Sequence, residues 1–204
     1  MVTVKICGLT NAGDAMLAAE AGADFFGFVF APGSPRTLSP VDCTWIGALP
    51  LSGKVGVFRD QEEGFIVALR EKAGFQLVQL HGSEPPELCE RLGGARAVIK
   101  AVLVRDFVDW GLVSAYASVA RVLFDAGAGS GRPLLWDLLR GAPGTLRFWL
   151  AGGLKPGNVA KAIAVARPAG VDVSSGVESE PGRKDPVKLE AFISAVRRGS
   201  ETIT

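Results

Sequence analysis

A chain of 204 residues, 48% of them apolar and 21% charged, is long enough for one sizeable hydrophobic core and short for two. Its net charge of +1, with both signs interspersed, gives no footprint for nucleic acid or an anionic membrane, so an anionic ligand must be held by local groups. One histidine and three cysteines (Cys7, Cys43, Cys89) with no CxxC pair supply neither metal-site spacing nor a disulfide framework, which points to no metal and to a reducing cytoplasm. The periodic apolar segment from Val2 leaves no room for a signal peptide, and no uncharged apolar run is long enough for a bilayer.

In chain order, the first strand is predicted at 2–7 (VTVKIC) and the first helix at 12–21, introduced by Thr10 and Asn11. A strand at 24–30 and a helix at 40–49 follow, the latter announced by Ser39-Pro40. Further strands fall at 53–58, 76–81, 97–102, 119–125, 147–151 and 170–174. The intervening helices are expected at 61–73, 85–93, 105–117, 133–140, 156–167 and 184–198. Gly22, Gly74 and Gly93 stand just past helix ends, where a left-handed residue is favoured. Eight strand-helix units without a linker predict one α/β domain over 1–204, a single (βα)8 TIM barrel at the small end of that class, which begins near ~200 residues. The competing architecture is a doubly wound open sheet. That fold favours a glycine-rich dinucleotide loop after the first strand, and Cys7-Gly8-Leu9-Thr10 is not one.

Alternation along each strand sorts side chains into two faces. Val4 and Ile6 oppose Thr3, Lys5 and Cys7. Gln79 shares a face with His81, and Val122 and Phe124 oppose Arg121, Leu123 and Asp125. The aliphatic set belongs under the helices, which sends the polar set inward. Cys7, His81 and Asp125 then end their strands at the rim where barrel active sites form, with Asp172 a little deeper. Lys5, Asp172 and Arg121 are equally accounted for as an internal ion network, and Cys7 as a small buried hydrophobe.

Three loops offer anion chemistry. Gly152-Gly153 after the seventh strand and Ser174-Ser175-Gly176 after the eighth bring backbone N–H groups to the two loops where barrel phosphate sites recur. The loop Ala31-Pro32-Gly33-Ser34-Pro35-Arg36 holds Arg36 between restraints, suited to a bidentate carboxylate contact or simply exposed to solvent. Asp125-Ala126-Gly127-Ala128-Gly129-Ser130-Gly131-Arg132 reads as a lid or as a plain connector.

These residues resemble the phosphoribosylanthranilate isomerase family. Lys5-Ile6-Cys7-Gly8-Leu9-Thr10 is similar to its opening signature, and Gly27-Phe28-Val29-Phe30 with Ser34-Pro35-Arg36 to its second motif. Val78-Gln79-Leu80-His81-Gly82 resembles the fourth, and Gly152-Gly153-Leu154 with Asn158 the seventh. Val171-Asp172-Val173-Ser174-Ser175-Gly176-Val177-Glu178, followed by Pro181-Gly182-Arg183-Lys184-Asp185, resembles the eighth. The departure is the short run from Asp125 to Gly129-Ser130-Gly131, with Leu134-Leu135-Trp136-Asp137 where the family usually has Phe-Asp-Trp.

The resemblance implies a cofactor-independent Amadori rearrangement of N-(5′-phosphoribosyl)anthranilate in tryptophan biosynthesis. It implies Cys7 as base, Asp125 as acid, Arg36, His81 and Asp172 on the substrate, and Gly152, Gly153, Ser174, Ser175 and Gly176 on its phosphate. The expected partner is this small molecule alone, with the chain a monomer or homodimer. A neighbouring cation, Lys5 being nearest in sequence, is expected to favour the Cys7 thiolate, and Asp125 is expected to carry a proton in one working state. Three alternatives stand beside it. One is the barrel isomerase of histidine synthesis, with an aspartate at the position of Cys7. Another is indoleglycerol-phosphate synthase, for which Lys100 is the only comparable lysine. The third is a sugar-phosphate binder that has kept the anion loops.

Overall fold

Eight parallel strands close on themselves in sequence order, from β1 (Thr3–Ile6) through β2 (Phe25–Val29), β3 (Lys54–Phe58), β4 (Leu77–Leu80), β5 (Val98–Leu103), β6 (Arg121–Asp125) and β7 (Trp149–Leu150) to β8 (Gly170–Val173). The computed structural model describes residues 1–127 and 135–202. The ring is closed by β1 pairing with β8, which sets Lys5 beside Asp172. This is the expected barrel, with a parallel strand on both sides of each of these eight strands.

The helices between strands are α1 (Ala12–Glu20), α2 (Thr44–Ala48), α3 (Glu63–Ala73), α4 (Pro86–Arg91), α5 (Trp110–Ala117), α6 (Val159–Ala166) and α7 (Pro186–Glu201). Local signals set several ends. Asn11 accepts the Asp14 N–H at 2.8 Å, Asp185 accepts that of Lys188, and α3 stops at Gly74 with φ of 65°. Two helices, α2 and α5, are each five residues shorter than predicted. The helix expected from 105 starts only after Asp109, whose side chain takes the Leu112 N–H as its cap. The helix expected from 40 starts at Thr44 because Lys72, on α3, draws the carbonyls of Pro40 and Val41 outward. Where a sixth helix was expected at 133–140, the described part is a 3₁₀ segment at Trp136–Gly141, closed by the Ala142 N–H donating to the Leu139 carbonyl. A two-stranded hairpin, β9 (Glu178–Glu180) and β10 (Arg183–Lys184), was not anticipated.

Packing follows the parity argument. Val4, Ile6, Phe28, Val122 and Phe124 lie under the helices with Phe192 and Ile193 of α7. Inside the ring, Val55, Leu77, Ile99, Ala101, Leu123, Trp149 and Ala151 fill the barrel as interdigitated layers. A smaller apolar group of Cys7, Val29, Ala31 and Val57 lies above them at the C-terminal rim. Of the segment 125–132, read as a lid or a plain connector, residues 128–132 lie outside the described residues. No helix among the described residues is long and apolar enough to cross a membrane.

Candidate active site

The C-terminal ends of β1, β4, β6 and β8 carry the ionisable groups. Beneath Cys7, Lys5 is fully buried and donates to both oxygens of Asp172, 3.0 Å each. Asp172, expected on the substrate, thus has both carboxylate oxygens in a barrel ion pair. This pairing follows from ring closure, which places the buried ammonium directly beside it. Arg121 takes no part in that pair. It starts β6 at the opposite end of the barrel, donates to the Ala95 carbonyl at 3.2 Å and lies over the Phe25 ring.

Cys7 faces Gly27 of β2, where a side chain would not fit: a Cβ would come within 2.8 Å of Cys7 Sγ and 3.0 Å of Lys5 Nζ. Burial pushes the Cys7 thiol up, and the attraction of Lys5 does not offset it. Lys5 favours the thiolate as expected, and burial opposes it. Burial also opposes the charge on Lys5, but Asp172 and Cys7 together hold its pKa above the usual value.

His81 and Asp125 do meet. His81 Nε2 lies 3.3 Å from Asp125 Oδ2, and Gln79 Nε2 lies 3.1 Å from His81 Nδ1. Asp125 Oδ1 accepts the Gly127 N–H at 3.0 Å. Burial disfavours the carboxylate charge, yet His81 and the Gly127 N–H outweigh it and keep the Asp125 pKa low. These contacts favour the carboxylate, so the working state in which Asp125 carries a proton needs a further influence such as the substrate's charge.

Arg36 is not a free loop arginine. It donates to Glu178 from Nε at 2.8 Å and from Nη2 at 2.6 Å. Lys184, with its side chain fully buried, donates to Glu178 Oε1 at 2.7 Å and to the Cys7 carbonyl at 2.6 Å. Burial favours neutral Glu178, but Arg36 and Lys184 keep its pKa low; burial draws the Lys184 pKa down against the pull of Glu178. Glu178 and Lys184 were in quoted motifs without a role. Their signal was charge at the end of the eighth strand, but only the hairpin joins them.

The seventh and eighth loops touch through backbone. A Cβ on Gly176 would overlap the Leu154 carbonyl, so only glycine permits this approach. Asn158 braces the seventh loop, donating to the Gly153 carbonyl at 3.0 Å and accepting from Lys155 N at 2.8 Å. Gly152 and Gly153 of the seventh loop and Ser175 and Gly176 of the eighth lie on these two abutting loops, the expected place of the phosphate. Backbone N–H groups of abutting glycine-rich loops can form an anion cradle. Among the described residues, no group of three His, Cys, Asp or Glu is arranged to hold a metal ion. A surface cleft lined by Phe148 and Arg167 opens at the opposite end of the barrel.

The family model for N-(5′-phosphoribosyl)anthranilate isomerase matches residues 4–195. A relative of that name from Pelobacter propionicus is 44% identical over 200 residues, covering 95% of this chain and 94% of its own. Among solved structures, a phosphoribosyl anthranilate isomerase in complex with reduced 1-(o-carboxyphenylamino)-1-deoxyribulose 5-phosphate superposes with a TM-score of 0.87. It is 40% identical and covers 97% of this chain and 100% of its own. Monomers of the dimeric phosphoribosyl anthranilate isomerase from Thermotoga maritima give a TM-score of 0.88 at 41% identity, covering 97% and 100%.

Proposed function

This chain belongs to the N-(5′-phosphoribosyl)anthranilate isomerase family, and we propose that Cys7 and Asp125 are the base and acid of its reaction. It is the isomerase that converts N-(5′-phosphoribosyl)anthranilate to 1-(2-carboxyphenylamino)-1-deoxyribulose 5-phosphate in tryptophan biosynthesis. The observation that carries the assignment is the contrast between two ionisable groups at one rim. Cys7 is buried beside a cation, and Asp125 sits in a polar pocket with His81.

The substrate's two anionic ends give it direction. Its phosphate goes to the N–H groups of Gly152, Gly153, Ser175 and Gly176, with Ser174 beside them. Its ring carboxylate goes to the end of Arg36 that Glu178 leaves open. Those negative charges favour a proton on Asp125 in the complex. Asp125 gives that proton to the furanose ring oxygen. The C1–O bond breaks with its electron pair on oxygen, while the nitrogen lone pair forms C1=N.

The Cys7 thiolate, once formed, is stabilised by Lys5 and removes the proton from C2. The C2–H pair becomes C1=C2, and the C=N pair returns to nitrogen. Loss of the C2 hydroxyl proton and protonation at C1 then give the ketone. His81 orients Asp125 and contacts the substrate at the ring oxygen. Asp172 acts through Lys5 rather than on the substrate. We infer a monomeric or homodimeric enzyme, the dimer by analogy with the Thermotoga maritima relative. Three unpaired cysteines support a cytoplasmic location.

Steady-state turnover of phosphoribosylanthranilate tests the pair. Cys7→Ala is expected to lose at least ~100-fold, the scale of a lost general base. Asp125→Asn is expected to keep its affinity for the reduced product analogue while turnover falls by roughly 100-fold or more. Wild-type rate in either variant removes that residue from the mechanism.

A further inference from the structure

We propose that Glu178 is a positioning residue for Arg36, aiming its guanidinium at the substrate carboxylate, with Lys184 fastening Glu178 in place. The inference rests on the reading of Arg36 as the carboxylate ligand and adds how this chain prepares it. A guanidinium has more than one edge able to grip a carboxylate. Glu178 takes the Nε and Nη2 edge at 2.8 and 2.6 Å, which fixes the plane of the group and leaves Nη1 directed elsewhere. Arg36 keeps some exposure, at 18% of its side chain, whereas Glu178 is only 4% exposed. The fixed partner is buried and the presented cation is at the surface.

Lys184 explains why a buried glutamate stays put. Its ammonium has three protons, and three acceptors surround it: Glu178 Oε1 at 2.7 Å, the Cys7 carbonyl at 2.6 Å and the Ser174 carbonyl at 3.3 Å. One buried cation thus joins the end of β1, the end of β8 and the partner of Arg36. The main-chain N–H of Lys184 is held in turn by Asp14 at 2.7 Å, and the Glu178 carbonyl accepts from Lys188 at 2.7 Å. Buried ion pairs are weak contributors to stability compared with apolar packing, so stability alone does not account for a triad here. Two cations and one carboxylate leave a single positive charge facing the mouth. Holding Arg36 before the ligand arrives removes its ordering cost from the binding step.

The test uses calorimetry with two probes, the reduced product analogue and the same molecule lacking the ring carboxylate. Wild type is expected to prefer the carboxylate-bearing probe. Glu178→Gln keeps the side-chain shape but sets an amide N–H against a cation, so Arg36 loses its two-point grip. It should bind the carboxylate probe about tenfold more weakly, the scale of a hydrogen bond to a charged group, and the other probe within about twofold. KM should rise with kcat within about threefold of wild type, since the reacting groups are untouched. Glu178→Asp, which retains the charge with a shorter reach, should fall between the two and serves as the readout should Glu178→Gln fail to fold. Equal weakening of both probes, unchanged preference, or a stronger preference for the carboxylate would overturn the proposal. A wild-type protein that does not distinguish the probes would instead overturn the reading of Arg36 itself.

Discussion

Replacing Gly27 with alanine tests how firmly the barrel wall fixes the base. The new methyl would lie 2.8 Å from Cys7 Sγ and 3.0 Å from both Cys7 Cα and Lys5 Nζ. Unstrained carbon contacts need ~3.5–4.0 Å, so the site is short by about 1 Å. The sulfur can rotate away, but the Cα belongs to the end of β1, held between β2 and β8. Overpacking of this kind costs ~1–3 kcal/mol, and the stiffer unfolded chain returns ~0.4–1 kcal/mol, leaving a net loss of about 1–2 kcal/mol. In a chain of this length each kcal/mol lowers the melting temperature by roughly 2–4 °C, which predicts a drop of about 2–8 °C. A displacement near 1 Å at a reacting group costs on the order of 100-fold in rate. Calorimetry and steady-state turnover should therefore show a modest loss of stability with a large loss of kcat. Gly56→Ala is the control. Its methyl would meet the Phe58 and Phe75 rings at 2.7 Å, outside the barrel, so it should destabilise comparably with turnover within about twofold of wild type. Normal turnover in Gly27→Ala, or equal loss of turnover in both variants, would refute the reasoning.

Two pH dependences follow. Because burial holds the Cys7 thiol above the ordinary cysteine range near ~8.5, kcat/KM should keep rising past about pH 9 as thiolate accumulates, and a plateau below about pH 8 would refute this. Asp125 has a depressed folded pKa, so its stabilising effect is complete above the unfolded value near ~4 and is lost as pH falls through the folded value. In urea titrations Asp125→Asn should be less stable than wild type at neutral pH and converge with it in acid, whereas a constant gap down to about pH 2 would show that the carboxylate makes no such contribution.

Strand periodicity and inner-face parity were legible in the sequence because alternation is a property of a few consecutive residues. That is why Lys5, Cys7, His81 and Asp125 could be sent inward from local pattern alone. Asn11 was equally local, capping an N–H three residues on. Arg121 shows the limit: its parity is right, but parity does not say at which end of the barrel a side chain finds partners. The start of α2 was set by Lys72, about thirty residues further on, which no local signal near Pro40 records. Only the tertiary structure decided how the charges pair. Lys5 meets Asp172 because the ring closes in one register, and Arg36 meets Glu178 across 142 residues because a hairpin folds over the rim. The ionisation of Cys7 and Asp125 is decided there too. It is a balance of burial against neighbouring charge, and both are set by segments far apart in the chain.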